Sequence, residues 1–167
     1  MDEKSLALRA SQGDKEAFAA LYMLYRDDLY RYAYYKLGSS EDARDAVSEC
    51  IVSAFESIGS LRSAGSFKPW IFRILYRSCA VCIAQQSEQS GRADISELDK
   101  LPSEDSGISA ELKEAFGVLS PQDRDIVLLS SLGGYNSREI SAMTGIGAVT
   151  VRSRLSRSLK KMRSFLE

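Results

Sequence analysis

Residues 119–163, LSPQDRDIVLLSSLGGYNSREISAMTGIGAVTVRSRLSRSLKKMR, divide by their own punctuation into three helices. Ser120-Pro121-Gln122-Asp123 sets a hydroxyl at an N-cap, proline at the first helical position and a carboxylate at the third. The helix that follows, DRDIVLLSSL, stops at Gly133-Gly134. Asn136-Ser137-Arg138-Glu139 is a second start, with Asn136 as the cap and Glu139 reaching back to close a capping box. The helix SREISAMT ends at Gly145, and after Gly145-Ile146-Gly147 a last helix runs to the C-terminus. A short helix, a glycine turn and a second helix are the helix-turn-helix outline.

The last helix carries Arg152, Arg154, Arg157, Lys160, Lys161 and Arg163 without an acid among residues 147–163, in a chain of formal net charge −1. Val151, Leu155, Leu159 and Met162 share one side at helical spacing and are expected to pack inward. Ser153, Ser156, Arg157 and Lys160 lie opposite, and Arg152, Arg154, Lys161 and Arg163 flank. Arginine bonds guanine edges through two donors, and lysine meets phosphates as a point charge. A recognition helix presents its first turns to base edges, and here those turns hold Thr150, Arg152, Ser153, Ser156 and Arg157. The plainer alternative is a solvated basic helix whose cations favour its own macrodipole. The flanking caps and glycine turn weigh toward DNA, with Arg154, Lys160 and Lys161 joining those residues as expected contacts.

Outside this stretch the charge is uneven. Residues 1–86 are neutral, residues 87–111 carry net −5 and residues 112–167 net +4. The acidic middle is rich in Ser, Asp and Glu, has no sustained apolar period, and reads as a flexible linker. The expected organisation is therefore a helical domain over 1–86, a linker over 87–111 and a helix-turn-helix domain over 112–167, with the domains moving independently in the free protein. A long surface loop within one domain is the alternative for the middle. In the first part, Phe18, Leu21, Tyr22, Tyr25, Leu29, Tyr32 and Ala33 recur at three- and four-residue steps, and Gly38 stops that helix. Ala43, Val47, Cys50, Ile51, Ala54, Phe55 and Ile58 form a second stripe. A third helix begins near Ser66, where Pro69 is tolerable in its first turn. A short leading helix ends at Gly13. With no strand pattern, the fold class is all-α: two small helical domains.

Several functions are disfavoured. There is no histidine in 167 residues, which removes the commonest general acid–base and metal ligand. No phosphate loop, nucleophile elbow or zinc spacing is found, so neither an enzyme, a cofactor nor a metal site is expected. No apolar run approaches the length of a membrane span, and MDEKSLALRA is too polar for a secretory signal, so a cytoplasmic location is expected. Three cysteines, an odd number, do not suggest a disulfide framework. Cys79 and Cys82 form a Cys-x-x-Cys one helical turn apart, for which burial as small apolar residues is the simpler reading over redox or metal chemistry.

The run LSPQDRDIVLLSSLGGYNSREISAMTGIGAVTVRSRLSRSLKKMR, and TVRSRL within it, resembles the domain of extracytoplasmic-function (group 4) sigma factors that reads the upstream promoter element. AFAALYMLYRDDLYRYAYYKL, DARDAVSECIVSAF and SFKPWIFRILYR resemble the other conserved sigma domain, in the same order. The resemblance implies a subunit of bacterial RNA polymerase that directs promoter-specific initiation, binds promoter DNA, and is commonly held inactive by an anti-sigma factor. It implies that the helix bearing Asp45 and Glu49 docks on the polymerase clamp. It implies that Lys68, Arg73 and Arg77 meet the downstream element, where cations beside aromatics suit a melted strand; for Trp70, core packing is the simpler reading. Departures are visible. SCAVCIAQQ is neutral where the family continues basic, Gly147 stands for a capping hydroxyl, and Val149 stands where glycine is usual. A helix-turn-helix regulator independent of polymerase, or a degenerate sigma-like interaction subunit, are the alternatives.

Overall fold

The computed structural model describes residues 2–88 and 108–167, and all the regular structure among them is helical. In chain order the helices are α1 (Glu3–Ser11), α2 (Lys15–Leu37), α3 (Ser40–Ser57), α4 (Phe67–Glu88), α5 (Ala110–Gly117), α6 (Pro121–Ser131), α7 (Ser137–Thr144) and α8 (Ala148–Leu166). Two single 3₁₀ turns, Ile58–Ser60 and Ala64–Ser66, lead from α3 to α4. Most of the acidic segment expected to act as a flexible linker lies outside the described residues.

Caps set the boundaries. Asp2, Asp14 and Ser39 accept backbone N–H bonds at the starts of α1, α2 and α3, and α2 ends on Gly38 at φ 77°, a left-handed turn that favours glycine. α2 is the spine of the first bundle, packed on α1, α3 and α4. Its buried Leu21, Leu29 and Tyr32 meet Ala43, Val47 and Cys50 of α3 and Phe67, Ile71, Phe72 and Leu75 of α4. The Tyr32 and Phe72 rings meet edge to face, 6.1 Å between centroids. Of the expected α3 stripe, Phe55 is the exception. It is 44% exposed, with its ring edge-on to Phe18 at 5.3 Å.

The second unit packs α5, α6 and α7 against α8 around Phe116, Ile126, Leu129, Ile140, Val151 and Met162. α5, capped by Ser109, is a helix that the sequence did not announce. The Ser120 cap with Pro121 behind it, the Asn136–Glu139 capping box and the left-handed Gly145 all take the form the sequence predicts. α8 begins at Gly147 with no side-chain cap.

The two units are packed on each other. The C-terminal end of α2 carries Tyr34, Tyr35 and Lys36, all buried. The Lys36 ammonium, 6% exposed, lies 2.9 Å from Asp125 of α6 and donates to the Pro121 carbonyl at 2.9 Å. Arg124 donates to the Lys36 carbonyl at 3.3 Å, Tyr35 stacks on Phe116 at 5.0 Å, and the Ser109 N–H donates to the Tyr35 hydroxyl at 3.0 Å. In this arrangement the end of α2 buries its aromatic surface against the second unit, Tyr35 on Phe116 and Tyr34 beneath the Lys113 ammonium.

Gly133 is fixed by close approach. A Cβ there would stand 2.7 Å from the Leu129 carbonyl and 2.8 Å from the Tyr135 ring. Gly133→Ala must push Tyr135 aside or bend the end of α6, and should cost about 1–3 kcal/mol. Denaturant melts of the two proteins, compared at equal m-value, measure this.

Candidate nucleic-acid and polymerase interfaces

α8 is amphipathic, with a narrower apolar seam than the sequence suggests. Val151, Ser158 and Met162 are buried and Leu155 half-buried, whereas Leu159 is 42% exposed. At about 100° per residue, positions 151, 155, 158 and 162 fall within roughly 60° of one another, and 159 lies about 80° from 151. Ser158 therefore takes the inward place that leucine spacing assigned to Leu159, and it lines a small cleft with Asp123, Arg154, Arg157 and Lys161.

On the opposite side and its flanks, Thr150, Arg152, Ser153, Ser156, Arg157, Lys160 and Lys161 are all exposed. Arg152 donates to the Ser137 hydroxyl at 3.1 Å and so ties the start of α8 to the first turn of α7. Arg157 reaches back to the Ser153 carbonyl at 3.4 Å. Neither bond buries the guanidinium, and both arginines keep further donors directed outward. Arg154 differs. It is half-buried, pairs with Asp123 at 2.7 Å and donates to Gln122 at 3.2 Å. It thus clamps α8 to the first turn of α6.

The other cations sit on α4. Arg77 is exposed, and Lys68 and Arg73 are half-buried. The Arg73 guanidinium lies 6.0 Å over the Tyr135 ring of the second unit, a cation–π contact. The Tyr135 hydroxyl donates to the Pro69 carbonyl, and burial pushes its pKa up to about 12, which holds the proton on the donor. The Lys68 ammonium approaches Gly134, within 3.7 Å of the point where a Cβ would stand. Trp70 is half-buried with its ring 5.9 Å from that of Phe67, consistent with core packing.

Asp45 and Glu49 are exposed on α3, off its apolar stripe. They line a cleft of about 720 Å³ between α3 and α4, shared with Asp42, Arg77, Val81 and Cys82. The cysteines are poor thiolates. Burial raises the Cys50 pKa to about 12 and pushes Cys79 higher still, and Cys82 is raised by burial and by the carboxylates of Asp42 and Asp45. No cluster of potential metal ligands exists among the described residues.

The residues that the sequence does not single out are those of the closed contact: Lys36, Asp125, Arg124 and Tyr135. Asp125 is half-buried, and desolvation pushes its carboxyl above the ordinary carboxylate range although the Lys36 ammonium pulls it down. The fully buried Tyr32 hydroxyl favours the ionised carboxylate, but neither it nor the second Asp125 oxygen reaches a partner of ordinary hydrogen-bond geometry.

An all-helical bundle followed by a helix-turn-helix with a cationic outer face narrows the comparison with known proteins. Residues 21–87 match sigma-70 region 2 and residues 109–162 match sigma-70 region 4. The chain belongs to the extracytoplasmic-function group of the sigma-70 family. It is 30% identical over 166 residues to the extracytoplasmic-function RNA polymerase sigma factor SigE of Mycolicibacterium smegmatis, covering 92% of this chain and 64% of that one. It is 29% identical to the RNA polymerase sigma factor SigV of Bacillus subtilis, covering 93% of this chain and 95% of that one. The chain thus spans just under two thirds of the first relative and nearly all of the second. In fold it resembles the sigma factor RpoE of Bartonella quintana, solved with the anti-sigma factor NepR, at TM-score 0.72 and 20% identity over 89% of this chain and 96% of that one. Within this sigma factor, region 2 spans most of α2 and all of α3 and nearly all of α4. Region 4 holds α5 to α7 and most of α8. No described helix is long and apolar enough to cross a membrane.

Proposed function

We propose that this sigma factor directs promoter-specific initiation as a dissociable subunit of bacterial RNA polymerase. In this reading α8 reads the upstream element, with Arg152 and Arg157 on base edges and Lys160 and Lys161 on phosphates. Thr150, Ser153 and Ser156 supply small hydroxyls between them, and Arg154 chiefly seats the helix. Lys68, Arg73 and Arg77 of α4 meet the downstream element, and Asp45 and Glu49 of α3 meet the polymerase. The observation that carries this is the acid-free cationic face of α8, presented by a capped helix-turn-helix behind a region 2 bundle in one chain. The chain works in the cytoplasm, supplies no catalytic group of its own, and is restrained by an anti-sigma factor. Its domain limits are those of the charge pattern, 1–86 and 112–167, extended back to Ser109 to include the cap of α5.

The direct test is to add the purified chain to core polymerase and sequence the genomic fragments retained. A shared upstream element spaced from a downstream one supports the reading, and fragments without a common element refute it. A graded test uses Lys160→Ala. Removing one phosphate-binding charge should weaken all sequences alike and lower the salt slope of binding by about one. Titrations of one promoter at several salt concentrations measure that slope.

A second reading, a sigma-like co-initiation subunit that does not open DNA, is favoured by one feature. The end of α4 is neutral, with Val81 56% and Ile83 39% exposed. It predicts core binding without transcription.

A further inference from the structure

We infer that the cleft between the first turn of α6 and the middle of α8 is a site for one phosphate group, held by the Ser158 hydroxyl, Arg154 and Lys161. The site stands on contacts alone, and only its service to promoter DNA rests on the reading above.

Three observations carry it. First, Ser158 is a hydroxyl where the fold calls for an apolar side chain. It is 3% exposed, stands in the inward seam with Val151, Leu155 and Met162, and lines the cleft. Among the described residues its hydroxyl bonds nothing, whereas those of Ser57, Ser60, Ser66 and Ser78 each donate to a carbonyl three or four residues back. A buried hydroxyl left without a partner costs free energy. A ligand in the cleft that accepts from it accounts for its being there.

Second, the walls are cationic. Arg154, Arg157 and Lys161 face a single acid, Asp123, whose charge Arg154 already meets at 2.7 Å. Arg154 is held on two sides, its Nε donating to Asp123 and one Nη to Gln122, so the other Nη keeps its donors for a ligand. A guanidinium fixed in this way loses little freedom on taking up an oxyanion. The first turn of α6 adds the positive end of its dipole. Surplus cations, an aligned guanidinium and a hydroxyl are the donor set that phosphate oxygens accept from.

Third, the cleft is not the base-reading face. At about 100° per residue, positions 154, 157, 158 and 161 fall within roughly 100° of one another, and Arg152 and Ser156 lie about 150° or more from the middle of that arc. Arg157, exposed on the rim, is left to base edges. The cleft measures about 340 Å³, room for a tetrahedral phosphate and part of what it is esterified to. Two bearers present the same oxygens: the promoter backbone beside the groove, and a small phosphate compound free in the cell.

The test has two arms. In the first, inorganic pyrophosphate is titrated at constant ionic strength into the full chain with isotope-labelled amides, and the NMR shifts of Gln122, Asp123, Ser158 and Lys161 are followed. They should move together and saturate. Ser158→Ala should weaken binding about fivefold to tenfold while the thermal midpoint holds or rises, because the orphaned hydroxyl is gone. A merely structural serine would give the opposite pattern. Lys161→Gln, at an exposed position that carries no packing, should weaken binding to a similar degree. In the second arm the holoenzyme binds a promoter carrying a single neutral methylphosphonate, moved step by step along each strand of the upstream element. If the backbone is the bearer, one position should weaken the wild type about tenfold and leave the Ser158→Ala protein nearly unaffected, the coupling expected of a direct contact. Saturable pyrophosphate binding without that coupling assigns the site to a small phosphate compound. Neither saturation nor coupling overturns the inference, as does a Ser158→Ala protein that binds pyrophosphate and promoter as the wild type does. Should no upstream element emerge from the fragments retained by the holoenzyme, the second arm falls with the promoter reading, and the first still decides the site.

Discussion

Asp45→Lys with Glu49→Lys is expected to abolish co-purification of this sigma factor with core polymerase and to leave the fold unchanged. Both carboxylates are exposed on α3, and among the described residues neither forms an ion pair that holds the bundle. They stand at i and i+4, so as a free pair they repel each other, and two lysines there repel no less. The fold therefore has little to lose. An interface with a basic polymerase surface has much to lose, because each reversal removes an attraction and adds a repulsion of several kcal/mol when desolvated. The check is a pull-down on core polymerase with circular dichroism of both proteins. Retention at wild-type level by the folded double variant would show that α3 is not the docking helix.

Arg152→Ala and Arg157→Ala should each lose about 1–3 kcal/mol of discrimination, or roughly 5- to 150-fold in preference for the cognate upstream element. Arg152 has the further task of tethering Ser137, but that bond is exposed and contributes little to stability. Arg154→Ala should behave differently. It breaks the ion pair with Asp123 and the bond to Gln122, so it should destabilise the second domain by about 1–2 kcal/mol. Its effect on DNA should be a uniform weakening that disappears under conditions where the fold is saturated. Competition binding of cognate and scrambled upstream elements by the holoenzyme distinguishes the two classes. If Arg152→Ala left the preference unchanged, α8 would not lie in the groove by its first turns.

The local signals are strong where one residue type has one physical job. Pro121 behind Ser120, Asn136 facing Glu139, and the left-handed glycines at 38 and 145 each fix a boundary without help from tertiary structure. The exposed face of α8 is legible for the same reason: a run of cations cannot be buried. What cannot be read is set by packing across the chain. Lys36 looks like an ordinary solvated lysine at the end of an amphipathic helix, and only Asp125, far along the chain in α6, makes it an interior residue. Tyr34 and Tyr35 lie off the apolar stripe of α2, and the second domain supplies Lys113 over the one ring and Phe116 on the other. α5 is short and follows an acidic run, so composition hides it. Leu159 gives way to Ser158 because helix geometry puts position 158 within the arc of 151, 155 and 162 and position 159 at its edge. Arg154 groups with its basic neighbours in the sequence because its acidic partner lies in another helix.

The measurement that bears most directly on the central claim is run-off transcription from a genomic promoter library with purified core polymerase, with and without this chain. Transcripts should begin at a defined set of promoters only when the wild-type chain is present, and the Asp45→Lys, Glu49→Lys protein should yield none. Core bound by the chain without any new start site would contradict a promoter-selecting sigma factor and favour the co-initiation subunit. Sequence-specific DNA binding with no dependence on core would favour a free-standing regulator.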